Sequence, residues 1–205
     1  MKKTAFLAIT GLFPFVVFSQ PSDPLNNFLN ETKQASGSFE QQTFQKDGKP
    51  AQETQKGTFS FSRPGKFVWT YSSPYPQKMV CDGNQIYVWD EDLNQVTVRS
   101  AKGSIPKSPA SILFGTQSYK KDWNATAPKQ EDGYTWITLT AKARDASVNS
   151  VSFGFKAEKL EKLIFVGSMG EKTNLTISNL KTEVHLGPET FKFTVPKGAD
   201  VIEVK

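Results

Sequence analysis

"RPGKFVWTYSSPYPQKMVCDGNQIYVWDEDLNQVTV", residues 63–98, is a series of aromatic-rich segments punctuated by Pro-Gly, Ser-Pro and Asp-Gly-Asn, and its first segment sets Phe67, Trp69 and Tyr71 at a period of two. A period of two is the signature of strands, whose successive side chains point to opposite faces of a sheet. Strands are therefore expected over 66–72, 77–82, 85–90 and 94–99, joined at Ser-Pro, at Asp82-Gly83-Asn84 and at the acidic run Asp90, Glu91 and Asp92. In the first of them, Phe67, Trp69 and Tyr71 share one face and Lys66, Val68 and Thr70 the other. A hairpin turning at Gly83-Asn84 sets Cys81 opposite Ile86 and Met79 opposite Val88, which continues the apolar face into the next two strands.

The same period runs outward from this core stretch. Further strands are expected over 38–45, 54–62, 134–141, 148–156, 159–166, 172–180 and 190–195, with turns at Asp47-Gly48, Arg63-Pro64-Gly65 and Met169-Gly170. Sequential hairpins of this kind imply an antiparallel meander. Two stretches break the period. Asp23 and Pro24 form an N-cap and first-turn pair, and Leu25, Phe28, Leu29 and Thr32 follow at helical spacing, with Ala35 extending the stripe and Gly37 ending a helix of about three turns. "SPASILFG", residues 108–115, opens on Ser108-Pro109 and closes on Gly115 around Ile112, Leu113 and Phe114. The economical architecture is a mainly β, α+β domain: one strongly bent antiparallel sheet whose apolar face is covered by two or three helices.

The chain starts with Lys2 and Lys3, an apolar run from Ala5 to Phe18, and then Ser19, Gln20 and Pro21. That order is a secretory signal peptide, with cleavage expected after Ser19. The run is shorter than the ~20 residues of a membrane-spanning helix. Residues 20–205 then form a single domain whose net charge drops from +5 to +3 once the two lysines leave. A lipobox needs a cysteine at the cleavage point, and the only cysteine is Cys81. The expected mature protein is an unlipidated extracytoplasmic domain with no internal disulfide, stabilised by its core.

Catalytic constellations are missing from the text of the chain. One histidine, His185, and one cysteine exclude a metal site built on those ligands. No G-x-S-x-G elbow, phosphate-binding loop or dinucleotide fingerprint occurs. No basic run with interleaved aromatics suits nucleic acid. The expectation is a monomeric protein that is not an enzyme and needs no cofactor. An extracytoplasmic hydrolase on a β scaffold stays the less favoured alternative, beside a general lipid-binding or envelope structural protein.

Arg63-Pro64, the Phe67, Trp69, Tyr71 alternation, "VCDG" at residues 80–83 and "DEDLNQVTV" at residues 90–98, together with "FKFTVPKGADVIE" at residues 191–203, resemble the LolA family of periplasmic outer-membrane lipoprotein carriers. The sequence departs from the family at Ser168, where an acid is expected, and at Lys197, where a second proline is common. The resemblance implies an unclosed β-barrel whose concave face is a cavity for lipoprotein acyl chains. Phe67, Trp69, Tyr71, Met79, Ile86 and Val88 are the candidate cavity residues, and Leu25, Phe28, Leu29, Ile112, Leu113 and Phe114 the apolar undersides of the lid helices. It implies that Arg63 latches the lid by donating to backbone carbonyls. It further implies a periplasmic location, cargo received from a LolCDE-type inner-membrane ABC transporter, and delivery to a LolB-type outer-membrane receptor.

Overall fold

The computed structural model describes residues 23–102, 113–114, 119–143 and 146–204. The expected signal peptide and its cleavage point lie outside them, as do Ile112 and most of the second expected helix. Among the described residues the chain forms α1 (Pro24–Glu31), then β1 (Gln34–Phe44), β2 (Gln55–Ser62), β3 (Lys66–Ser73), β4 (Gln77–Asp82), β5 (Gln85–Asp90) and β6 (Gln95–Ser100). After α2 (Tyr119–Asp122) come β7 (Trp123–Ala125), β8 (Lys129–Glu131), β9 (Tyr134–Ala141), β10 (Val148–Lys156), β11 (Lys159–Gly167) and β12 (Lys172–Lys181). A 3-10 turn (Pro188–Phe191) leads to β13 (Asp200–Val204).

All thirteen strands join one sheet, ordered β13-β6-β5-β4-β3-β2-β1-β12-β11-β10-β9-β7, with β8 beside β9. The sheet does not close: β13 and β7 are its free ends. Hairpin registers follow the turn chemistry. Met79 pairs with Val88 and Cys81 with Ile86, and Gly48, Gly65, Gly83 and Gly170 each take the positive φ that a tight turn demands. Ser168 and Lys197 both fall in turns, where side-chain identity constrains the fold least. A single apolar cluster draws Phe39, Phe61, Phe67, Ile86, Leu139, Phe153, Leu163 and Leu175 from strands on both sides of the long β1–β12 ladder. One face can supply a common core from so many strands only if the sheet curls around it.

Three expectations are corrected. The first helix spans two turns, not three: Thr32 leaves the helical region at φ -80, ψ 102, and Ala35 and Gly37 belong to β1. Their backbone is claimed by ladder partners, since Ala35 pairs with Phe61 and Gly37 with Phe59. The pairing also departs from a pure meander. First and last long strands β1 and β12 join antiparallel, and β13 runs parallel to β6.

Residues 190–195 are not a strand. Phe191 and Phe193 share a face as alternation requires, but the segment docks on the outside of the sheet, with Phe191 buried and Phe193 stacked on Tyr87 at 5.1 Å between centroids. Val80, Tyr87 and Val98, paired across β4, β5 and β6, point away from the main core and require cover. A reciprocal amide clamp anchors the segment's start: Gln34 Nε2 donates to the Leu186 carbonyl and the Leu186 N–H to Gln34 Oε1. The Asp200 N–H then reaches the Asn94 carbonyl at 3.0 Å, which starts β13.

Gly57 is the tightest backbone approach in the sheet. A Cβ there would lie 1.9 Å from the Thr70 carbonyl oxygen and 2.7 Å from Phe39 Cζ, beside the bulge that separates the Lys56 and Gly57 pairings. Because a backbone atom cannot rotate away, Gly57→Ala is expected to cost about 3 kcal/mol, read as a drop of roughly 10 °C in Tm. An unchanged thermal melt would contradict this packing.

Candidate functional site

The concave face holds a cavity of about 320 Å3. Phe67, Trp69 and Tyr71 of β3 and Met79 of β4 form one wall, and Val148, Phe165 and Leu175 of β10, β11 and β12 the facing one. Leu113 and Phe114 close the top. The strand period explains the first wall: β3 presents every second residue inward, and pairing of Trp69 with Met79 carries the wall into β4. Trp69 is held between Phe39 at 4.2 Å and Phe59 at 5.5 Å. Ile86 and Val88 lie on the same face but pack into the core and do not border this cavity. The second wall escaped the sequence reading. β11 and β12 alternate as clearly as β3, but only the closing β1–β12 ladder brings them opposite it.

α1 turns Leu25, Phe28 and Leu29 into the shared apolar core, all buried, but lends no residue to the cavity wall. Its start is fixed by Asp23, whose Oδ1 accepts the Asn26 N–H at 3.0 Å, and by Pro24 at the first helical position, where a missing N–H costs nothing. Tyr119 of α2 donates its hydroxyl to Asn26 Oδ1 at 3.2 Å. Phe114 stacks on Phe67 at 4.8 Å and touches Phe61 and Trp69. Phe114 therefore covers part of the aromatic surface that β2 and β3 present.

Arg63 joins lid to sheet. Its Nε donates to the Leu113 carbonyl at 2.9 Å. Nη1 donates toward the carbonyls of Phe28 at 3.2 Å, Leu29 at 3.1 Å and Thr32 at 2.5 Å. The last turn of a helix leaves such carbonyls without partners, and Nη1 has two hydrogens for three acceptors, so one is shared. The guanidinium also lies over the rings of Phe28 and Phe61, at 5.1 and 4.9 Å. Two residues on, the Gly65 N–H donates to the Phe114 carbonyl at 2.7 Å. A lysine could reach one of these groups but could not span both lid segments with a planar fork.

No carboxylate faces Arg63 in an ion pair among the described residues. Burial alone pulls its pKa down to about 10. Nη2 is buried without an acceptor, a mismatch worth about 1–3 kcal/mol that offsets part of the gain from the other Arg63 bonds. Cys81 is buried in β4 and burial pushes its thiol up, which leaves it a small core residue. His185 is exposed and lies beyond the end of β12.

An unclosed, mostly antiparallel sheet that curls around an apolar cavity, with helical segments tied to it through Arg63, defines a half-barrel. The chain belongs to the LolA family: the model described as "Outer membrane lipoprotein carrier protein LolA" matches residues 30–194. It is 40% identical over 184 residues to the outer-membrane lipoprotein carrier protein of Cupriavidus necator, covering 89% of this chain and 87% of that one. To the protein of the same description from Ralstonia nicotianae it is 39% identical over 210 residues, covering 98% of each. The crystal structure of an uncharacterized conserved protein from Thermus thermophilus shares the fold at a TM-score of 0.54 and 11% identity, over 87% of this chain and 95% of that one. No helix among the described residues is long and apolar enough to cross a membrane.

Proposed function

We propose that this protein is a periplasmic carrier that shields the acyl chains of lipoproteins and moves them from the inner to the outer membrane. The observation that carries the reading is the apolar cavity closed by a latched lid, in a member of a family described as lipoprotein carriers. A triacylated anchor has ~40 methylenes, and at ~0.8 kcal/mol each their exposure costs roughly 30 kcal/mol. Free diffusion across an aqueous gap is then negligible, and a protein shell is required.

An acyl chain seated against Phe67 and Trp69 meets Phe114, which packs on both rings. Loading therefore displaces Leu113 and Phe114 and breaks the Arg63 bond to the Leu113 carbonyl. Without a nucleotide-binding motif in the chain, the driving energy comes from outside: a LolCDE-type ABC transporter as donor and a LolB-type receptor as acceptor. Binding must also stop short of the ~20 kcal/mol ceiling of non-covalent complexes, since the cargo has to leave. The carrier works as a monomer, is not an enzyme and uses no cofactor.

The test is displacement. A fluorescent apolar probe bound in the cavity should be expelled stoichiometrically by a synthetic triacylated cysteinyl peptide and not by the same peptide without its acyl chains. Equal displacement by both peptides, or by neither, would sink the reading.

A further inference from the structure

Glu171 is the one acidic or basic side chain among the described residues that line the cavity. It lies one residue before β12, at the end of the turn that follows β11, where its carbonyl accepts the Gly167 N–H at 2.9 Å. Its carboxylate folds back over Gly167. A Cβ on Gly167 would lie 1.7 Å from Glu171 Oε1 and 2.1 Å from its Cδ, so the missing side chain at 167 makes the space the carboxylate fills. Oε2 is buried there with no hydrogen-bond donor. None of the four ion pairs among the described residues includes Glu171, although the aliphatic stem of Lys46 passes the adjacent Gly170.

The other polar side chains of the same wall are already engaged. Gln41 donates to Gln55 and accepts from the Tyr71 hydroxyl, and Thr173 shares a hydrogen bond with Thr43. A carboxylate held against apolar walls is costly unless a donor meets it. The Tyr71 hydroxyl is committed to Gln41, and neither Gln41 nor Thr173 makes a hydrogen bond to the Glu171 Oε2.

We propose that Glu171 is the polar subsite of the cavity and accepts an N–H donor carried at the head of the cargo's acyl chains. This rests on the carrier reading. At the anchor of a lipoprotein the donor next to the chains is the nitrogen of the acylated cysteine, either an amide N–H when it is itself acylated or an ammonium when it is free. Both are N–H donors, and the carboxylate meets the ammonium with full opposite charge, so the two forms separate in the test.

The experiment titrates the full mature protein with three synthetic probes: an N-acylated S-diacylglyceryl-cysteinyl peptide, the same peptide with a free amine, and a fatty-acid methyl ester, which has no N–H. Glu171→Leu should weaken the N-acylated peptide about tenfold and the free-amine peptide more, while the ester binds as to the wild type. Glu171→Gln, which keeps the shape, should recover most of the amide binding and little of the ammonium binding. Identical ratios among the three probes in wild type and both variants would overturn the subsite and leave the carrier reading standing. Failure of the wild type to bind any probe would overturn both.

Discussion

Arg63→Leu opens the lid without unfolding the sheet. The substitution removes the donors to Leu113, Phe28, Leu29 and Thr32 and keeps an apolar side chain against the rings of Phe28 and Phe61. Charge-assisted hydrogen bonds contribute about 1.5–3 kcal/mol, so the closed state should lose on the order of 3 kcal/mol, roughly a hundredfold in the closed-to-open ratio. Amide exchange in α1 should rise by about that factor while β3 and β10 stay protected. The functional consequence is impaired exchange, because hydrophobic cargo is no longer displaced by a returning lid. Wild-type transfer of lipoproteins by the variant would exclude the latch. Arg63→Lys should fall between the two, since one ammonium cannot bridge both lid segments.

Arg63 is not a pH switch. Its folded-state pKa, pulled down to about 10 by burial, lies below its unfolded value, so the folded protein binds fewer protons than the unfolded chain only between those two values. Stability linked to Arg63 therefore rises with pH in that alkaline window and is flat below it. Lid exchange measured between pH 5 and pH 8 should show no Arg63-dependent trend.

Met79→Glu abolishes apolar binding while the protein stays folded. Met79 is only partly buried and sits on the cavity wall opposite Trp69. Its neighbours in the fully buried core, Cys81 and Ile86, would be untouched. An ionised carboxylate placed there is hydrated when the lid is open and stripped of water when acyl chains or the lid cover it, at a cost of several kcal/mol. Affinity for an acylated peptide should fall at least a hundredfold, with far-UV circular dichroism unchanged. Retained affinity would mean that acyl chains bind elsewhere.

Local order was legible because strands and turns advertise themselves. A turn read at Gly83-Asn84 sufficed to set the β4–β5 register at Met79–Val88 and Cys81–Ile86, and Gly83 takes the positive φ such a turn needs. The role of Arg63 as a donor to lid carbonyls came from the resemblance; composition and period describe only a charge before a turn proline. Long-range closure was not legible. The facing wall with Phe165 and Leu175 depends on β1 meeting β12, a pairing between strands more than a hundred residues apart that no turn signals. The docking of Phe191 and Phe193 on the outer face was hidden for a related reason. Their alternation matches a strand, and only the outward apolar row of Val80, Tyr87 and Val98 decides that they cover a sheet instead of extending one. Glu171 escaped notice because an acid beside a turn looks solvated until Gly167 brings it into the cavity.

The most direct measurement incubates the mature protein with inner-membrane vesicles that contain acylated lipoproteins and ATP, and analyses the supernatant by native mass spectrometry. The expected result is a soluble one-to-one complex of carrier and mature lipoprotein, formed only when ATP is hydrolysed by the membrane partner and lost in Met79→Glu. A supernatant free of lipoproteins, or a complex that persists in Met79→Glu, would contradict it.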